Sequence, residues 1–490
     1  MSSLKDKAVN GLIWSFIDSF AGQGIGILVG IMLARILSPR EFGLIGMIVV
    51  FIAVSESFIN SGFTSALIRK KECTEADYST VFFFNLIAGV LFFIVLFLSA
   101  PAIGEYFNEP ELVPIVQVLG VVLIIDALTM IQRTILTKRL DFKLQARISV
   151  IASIGSGGVA LAMAYAGMGV WSLIALRLVK QGLNSFFLWI WNKWRPALIF
   201  SWESFRELFG FGSKLLVSGL IDTIYQNIYY LIIGKYFSAQ DLGFYTRADE
   251  FKKIPSQNMT SIISRVSYPL LSSIQDDPER LKATYQKLIR STMFVTFILM
   301  MGMAAVAEPM VITLVGEKWR ESIVYLQLLC FVGMMYPLHA LNLNMLQVQG
   351  RSDLFLRLEI IKKLLAVPVI VVGILWGIKT MIYGMIINTM IAYYLNSYWS
   401  GKMIGYSFFN QIRDIIPSFS LAVCMAVSVL LSGSFLNFNL ILTLMFQLFF
   451  GAIFVVIISE MFGFKDYLFI KSLVNEKIFN IKNYNMNNSS

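Results

Sequence analysis

Polar and charged side chains recur at helical spacing inside long apolar segments of this sequence. One set is spaced every four residues and consists of Lys214, Ser218, Asp222 and Gln226. A second set follows the i, i+3, i+4, i+7 pattern and consists of Arg177, Lys180, Gln181 and Asn184. Both spacings place the polar groups on one face of a helix. Arginine binds phosphate oxygens through two parallel N–H groups and lysine supplies a point charge, so these faces predict a site for an anion.

Four cations within apolar segments are the candidate substrate-binding residues, namely Arg177, Lys180, Lys214 and Arg265. An ionised group at bilayer depth costs about 2.5–3.5 kcal/mol and normally faces a cavity or a partner. The competing interpretation is structural. In that case Lys214 and Arg265 extend their charges to the membrane surface, and Arg177 forms an ion pair with Asp126 or Asp222.

Carboxylic acids in the same kind of segment indicate a second chemistry, the uptake and release of a cation. The candidate ion-coupling residues are Asp222, which shares its helix face with Lys214, and Asp18 and Glu56. A carboxyl group with a raised pKa can load a proton or sodium ion on one side of a membrane and release it on the other. An interhelical ion pair or hydrogen bond is the structural alternative.

Composition identifies the solvent around these groups as lipid. Hydrophobic residues make up 57% of the 490 residues and charged residues 14%, whereas soluble domains carry about 25% charged residues. The net charge of +10 fits lysine and arginine in cytoplasmic loops, and no basic stretch is interleaved with aromatics as nucleic-acid binding would require. Three scattered cysteines and one histidine indicate no metal site and no cofactor.

Fourteen apolar segments are long enough for transmembrane helices. They lie at 11–33, 42–68, 78–100, 113–135, 146–166, 169–191, 208–234, 251–274, 288–312, 322–346, 357–376, 380–402, 415–434 and 438–462. The first is too long for a signal peptide and lacks a small-residue cleavage site, so it is interpreted as a retained helix.

The distribution of lysine and arginine tests the eighth segment, which contains two prolines and many hydroxyl groups. With fourteen spans, most basic residues fall in loops on the side of the N-terminus; Arg133, at a segment end, is counted with these loops. Removing the eighth span would place the later basic loops outside, against the positive-inside rule. The count therefore predicts fourteen spans, with both termini in the cytoplasm.

One corner of the chain occurs twice. The stretches LARILSPREFGLIG at 33–46 and IGKYFSAQDLGFYT at 233–246 share the pattern R/K-x-x-S-x-x-E/D-x-G. Six spans separate the copies, which predicts two parallel six-helix halves with a substrate site between them. The expected division is 1–200, 201–405, two additional helices at 406–464 and a polar cytoplasmic tail at 465–490. A chance match is the alternative.

The chain resembles a known family through VNGLIWSF in the first helix, ARILSPREFGLIGM at the first corner and SGFTSALIRKKECTEADYSTVFFFN at 61–85. These stretches are similar to the polysaccharide-export (Wzx-type) branch of the multidrug, oligosaccharidyl-lipid and polysaccharide exporter superfamily. The resemblance implies an all-α integral membrane protein that flips an undecaprenyl-diphosphate-linked oligosaccharide to the outer leaflet of the bacterial cytoplasmic membrane by alternating access. The four cations would then bind the diphosphate.

Two other functions stay open. A cation-coupled drug antiporter uses the same fold, and the four span-internal cations are matched by four acids, Asp18, Glu56, Asp126 and Asp222. A membrane polysaccharide polymerase is the second alternative, but the short outer loops and single histidine offer no platform for acid–base chemistry, so no enzyme activity is expected. Expected partners are the lipid-linked oligosaccharide, membrane lipids, a proton or sodium gradient and polysaccharide-assembly enzymes.

Overall fold

The computed structural model describes residues 22–435, 439–472 and 475, and all regular secondary structure in this part of the chain is helical. Helix packing divides it into two compact units, Met1–Thr246 and Arg247–Ser490. The helices of the first unit are α1 (Gly22–Ile36), α2 (Pro39–Asn60), α3 (Phe63–Arg69), α4 (Glu75–Phe107), α5 (Leu112–Lys138), α6 (Phe142–Tyr165), α7 (Trp171–Trp191), α8 (Trp202–Tyr236) and the beginning of α9 (Ala239–Ser272).

Besides the rest of α9 and a short helical stretch at 465–472, the described residues of the second unit form eight longer helices. These are α10 (Pro278–Ala305), α11 (Ala307–Val315), α12 (Ser322–Gly333), α13 (Tyr336–Val348), α14 (Ser352–Trp376), α15 (Ile378–Ile404), α16 (Phe408–Phe435) and α17 (Leu440–Met461), with a 3-10 turn at Glu317–Trp319.

Ten of the described helical segments are long and apolar enough to cross a membrane, which confirms the all-α membrane fold. Three further predicted spans coincide with the long helices α9, α14 and α15. None of these three combines the length, mean hydropathy and low number of charged residues that the ten segments share. The first predicted span overlaps α1, and its residues before 22 lie outside the described part. The total of fourteen spans stays a prediction.

The repeated corner forms the N-terminus of α2 and of α9 in the same way. The amide and hydroxyl of Ser38 both donate to the Glu41 carboxylate, at 2.6 and 2.9 Å. Ser238 makes the equivalent bonds to Asp241, at 3.2 and 2.6 Å. Serine and the acid three residues later thus satisfy amide groups that a helix start leaves without partners. This capping explains why the serine and the acid have the same spacing in both copies of the corner.

The two corners pack against each other through their glycines. A Cβ atom on Gly43 would lie 1.6 Å from the carbonyl oxygen of Ala239, and one on Gly243 would lie 1.9 Å from that of Pro39. The contact is reciprocal, because Pro39 and Ala239 are equivalent positions in the two copies. Glycine is therefore required at both positions for the helix starts to meet at backbone distance.

Buried polar groups link the helices of the second unit. The Ser400 hydroxyl donates to the side-chain oxygen of Asn342 at 2.6 Å, and Asn342 donates to Gln411 at 3.3 Å, so α15, α13 and α16 share one network. Closer to the start of α9, the buried Asp249 forms ion pairs with Lys252 and Lys253, each at 2.6 Å. Pairing of this kind is what makes buried charges tolerable.

The glycine contact predicts that Gly43→Ala destabilises the first unit. We expect a loss of about 1–3 kcal/mol, because the added methyl overlaps a backbone carbonyl that cannot rotate away. The thermal unfolding midpoint of the detergent-purified protein measures the effect. The matched control is Gly219→Ala on α8, where a Cβ would meet nothing within 4 Å; a Gly43→Ala protein as stable as this control would contradict the contact.

Candidate functional site

A cavity of about 510 Å³ lies within the first unit, between α2, α3, α5 and α7. Its charged lining residues are Glu56, Asp126, Arg133, Arg177 and Lys180. The cations outnumber the acids by one, so the charge of the lining favours an anion. Asn60, Thr129 and Gln181 add neutral hydrogen-bonding groups to the lining.

Helical periodicity explains why these side chains converge. Glu56 and Asn60 are four residues apart on α2, and Arg177 and Gln181 are four apart on α7. On α5 the lining residues are Val122, Asp126, Thr129, Met130, Arg133, Thr134 and Thr137, which lie along one side of the helix. Each helix therefore contributes one polar face to a common space.

Hydrogen bonds fix both acids of the cavity. The Arg177 guanidinium lies 2.7 Å from the Glu56 carboxylate, and the two side chains are 35% and 36% exposed. The Gln181 amide donates to the Asp126 carboxylate and to the Thr129 hydroxyl at 3.3 Å. These contacts join α2 to α7 and α5 to α7. Because the ion pair is partly exposed, a ligand in the cavity can compete for it.

Arg133 is a lining residue that the sequence analysis missed, because it was counted with a loop. It lies within α5 and its side chain is exposed to the cavity. Within the described part of the chain, its guanidinium forms no ion pair or side-chain hydrogen bond. The signal that would have identified it is its spacing of seven residues from Asp126, two helical turns along the same face.

Contacts at the C-terminal end of α5 hold the part of the cavity around Arg133 in place. Lys138 donates to the carbonyl oxygen of Leu67 at 3.1 Å, which ties α5 to α3. Lys70, in the next connection, forms ion pairs with Glu207 at 2.8 Å and Asp77 at 3.0 Å. The hydrogen bond to Glu207 raises the pKa of Lys70 and is the largest cause, although desolvation opposes it.

Three of the predicted site residues lie together in the first unit. Arg177, Lys180 and Glu56 line the cavity, and the ion-pair partner of Arg177 is Glu56. Lys214 and Asp222 lie on an exposed face of α8 and are not among the lining residues.

The remaining two predicted site residues lie elsewhere. Arg265 belongs to the part of α9 in the second unit, and Asp18 lies outside the described residues. The binding and ion-coupling roles of all seven residues stay predictions.

Comparison with curated proteins shows similarity to polysaccharide biosynthesis proteins of bacteria. The lipopolysaccharide biosynthesis protein WzxC of Escherichia coli K12 is 26% identical, over 88% of this chain and 89% of its own length. The teichuronic acid biosynthesis protein TuaB of Bacillus subtilis is 25% identical, over 72% and 74% of the two chains. The succinoglycan biosynthesis transport protein ExoT of Rhizobium meliloti is 26% identical, over 63% of each.

Solved structures share the fold. The lipid II flippase MurJ in an inward closed conformation aligns with a TM-score of 0.75 at 14% identity, over 93% of this chain and all of its own. An inward-facing multidrug resistance MATE transporter aligns with a TM-score of 0.63 at 15% identity, over 81% of this chain and 98% of its own. At these identities the likeness concerns the fold alone.

A family profile described as polysaccharide biosynthesis protein matches residues 32–324, more than half of the chain. The match includes both copies of the repeated corner and every helix that lines the cavity. Together with the apolar helices, it makes this a multi-pass membrane protein with bacterial relatives. The chain belongs to the polysaccharide biosynthesis protein family, which confirms its predicted resemblance to polysaccharide-export proteins.

Proposed function

We propose that the protein is a flippase that moves an undecaprenyl-diphosphate-linked oligosaccharide across the cytoplasmic membrane for surface polysaccharide synthesis, such as lipopolysaccharide O-antigen or capsule. The observation that carries the proposal is the cavity with an excess of cations inside a bundle of membrane-crossing helices. The names of the relatives support it, because WzxC, TuaB and ExoT are each named for biosynthesis of a different polysaccharide.

The chemistry of the cavity fits a diphosphate. A diphosphate loses its hydration when it enters the membrane, and charged hydrogen bonds from arginine and lysine replace part of that hydration. Arg177 and Lys180, which line the cavity from α7, are proposed to supply these hydrogen bonds. Lys214 on α8 and Arg265 on α9 are proposed as further contacts, on the strength of their charge and exposure.

Movement of the substrate is proposed to occur by alternating access. The two halves would be the six-helix repeats at 1–200 and 201–405, with 406–464 as additional helices and 465–490 as a cytoplasmic tail. The capped corners of α2 and α9, alike in sequence and in hydrogen bonding, support this division. No catalytic role is assigned, in keeping with relatives that include a transport protein, and association with polysaccharide-assembly enzymes is a further proposal.

A cation-coupled multidrug antiporter is the second candidate function, favoured by the likeness in fold to a MATE transporter and by the two acids in the cavity. Both acids are engaged by Arg177 and Gln181, which lowers their availability to a cationic drug. The excess of cations in the lining also disfavours such a ligand.

Translocation in proteoliposomes tests the main proposal. The cargo is an undecaprenyl-diphosphate oligosaccharide, and an impermeant sugar-modifying reagent reports its appearance on the opposite leaflet. We expect Arg177→Ala/Lys180→Ala to lower the rate at least tenfold, since each charged hydrogen bond contributes about 1.5–3 kcal/mol. The control is Lys379→Ala, which removes an exposed cation at the start of α15. Absence of cargo movement by the wild type, with efflux of a cationic dye, would favour the antiporter.

Coupling to an ion gradient is proposed for the carboxyl groups of Glu56, Asp222 and Asp18. In the same proteoliposomes, an imposed proton or sodium gradient is expected to accelerate transport by the wild type. Glu56→Gln is expected to remove this acceleration while downhill movement continues, because the amide cannot exchange a proton. Glu105→Gln changes an exposed acid on α4 and serves as the control. Equal wild-type rates with and without both gradients would remove the coupling role.

If both termini lie in the cytoplasm, the order of the spans predicts which loops face the cytoplasm and which face the outside. With Cys73, Cys330 and Cys424 replaced by serine, single cysteines are placed at Lys71, between α3 and α4, and at Pro110, between α4 and α5; both positions are exposed. An impermeant maleimide is expected to label position 110 in right-side-out vesicles and position 71 in inside-out vesicles. The opposite pattern would reverse the proposed topology.

A further inference from the structure

Arg133 and Arg177 lie at different depths of the cavity. Gln181 on α7 contacts Asp126 on α5. Farther along α5, the side-chain amide of Gln132 donates to the backbone carbonyl of Trp194 at 3.2 Å. The backbone carbonyl of Gln132 accepts from the side-chain amide of Asn192, just after the end of α7, at 3.2 Å. The two helices therefore run in the same direction, and Arg177, which precedes Gln181, lies on the far side of Asp126 from Arg133. Seven residues of helix separate Asp126 and Arg133, about 10 Å along the axis.

Arg133 lies toward the end of the cavity that we assign to the cytoplasm. Thr137, the last lining residue of α5, accepts a hydrogen bond from Gln145 at 3.1 Å, just beyond the turn to α6. Basic residues concentrate around this turn and the neighbouring α3–α4 connection, namely Arg69, Lys70, Lys71, Lys138 and Arg139. Such a concentration is typical of the cytoplasmic side.

The cations of the cavity also differ in the contacts that they already make within the protein. Arg177 is held by Glu56 at 2.7 Å, and Lys180 takes part in a polar or electrostatic contact. Arg133 is exposed and, among the described residues, forms no ion pair. An anion can therefore bind Arg133 without breaking an ion pair, and competes only with the longer-range attraction of Asp126, whereas it can bind Arg177 only by displacing the Glu56 carboxylate.

We propose that Arg133 is a substrate-binding residue and the first cation of the cavity to bind the diphosphate group, and that the bound group then displaces Glu56 from Arg177. The proposal rests on the function proposed above and adds a binding residue and an order of contacts to it. A diphosphate carries more negative charge than a monophosphate, so it competes better with the Glu56 carboxylate for Arg177. Glu56 increases the selectivity for a diphosphate, because an anion of lower charge does not displace Glu56 from Arg177.

Binding to protein in phosphatidylcholine nanodiscs tests the role of Arg133. The probes are undecaprenyl diphosphate and undecaprenyl phosphate. We expect Arg133→Gln to raise the Kd for the diphosphate at least tenfold and the Kd for the monophosphate less, with Arg133→Lys in between. The matched control is Arg139→Gln, which removes the same charge at the end of α5 outside the cavity lining. Equal diphosphate affinity for Arg133→Gln and Arg139→Gln would overturn the proposal.

The order of contacts has its own test. Glu56→Gln releases Arg177, so we expect the double variant Arg133→Gln/Glu56→Gln to bind undecaprenyl diphosphate more tightly than Arg133→Gln alone. Affinity that stays unchanged would overturn the displacement of Glu56. Thermal midpoints and elution volumes close to those of the wild type verify that each variant is folded.

Two comparisons identify the source of the anionic group and separate this proposal from the function itself. Inorganic pyrophosphate should compete with the lipid probe, and phosphatidylglycerol in the nanodiscs should not; strong competition by phosphatidylglycerol would assign Arg133 to membrane lipid and overturn the proposal. A wild type that neither binds nor flips the diphosphate lipid refutes the proposed function. A wild type that does both, with no effect of Arg133→Gln, refutes only the role of Arg133.

Discussion

The ion pair between Glu56 and Arg177 is the contact on which the cavity of the first unit depends. It joins α2 to α7 at 2.7 Å and keeps a guanidinium at the cavity wall, where an unpaired charge would cost about 2.5–3.5 kcal/mol. A hydrophobic pair could also join these helices and would be no less stable. It would leave no charged group for an anion to bind, so the proposed binding role accounts for a charged pair that stability alone does not require.

The repeated corner fixes the start of α2, the helix that carries Glu56 of this ion pair. Ser38 and Glu41 cap α2, Gly43 allows the backbone of α9 to approach, and Ser238, Asp241 and Gly243 do the same from the other copy. The start of α2 is thereby fixed, and Glu56 lies about 26 Å farther along the same helix, 17 residues after Pro39. A corner with no binding chemistry of its own thus helps to position a carboxylate inside the membrane.

Sequence periodicity predicted the helices and the polar faces of α7 and α8 because a period of 3.6 residues is a local property of the chain. It could not predict which faces meet. Arg177 and Lys180 share a cavity with Glu56, whereas Lys214 and Asp222 lie on an exposed face of α8 and are absent from the lining. Arg133 was missed for a related reason: hydropathy assigns a charge at a segment end to the loop, whereas α5 continues past Arg133 to Lys138.

The two acids of the cavity also bear on how an anion could leave it. A cavity lined only by cations would bind a diphosphate tightly and release it slowly. Glu56 and Asp126 are the carboxylates that contact Arg177 and Gln181, so under the proposed function each would compete with the ligand for the same donors. Re-formation of the Glu56–Arg177 pair stabilises the empty state and thereby favours release. Under the proposed function the acids do not oppose the cations, because transport requires binding that is reversible on both sides of the membrane.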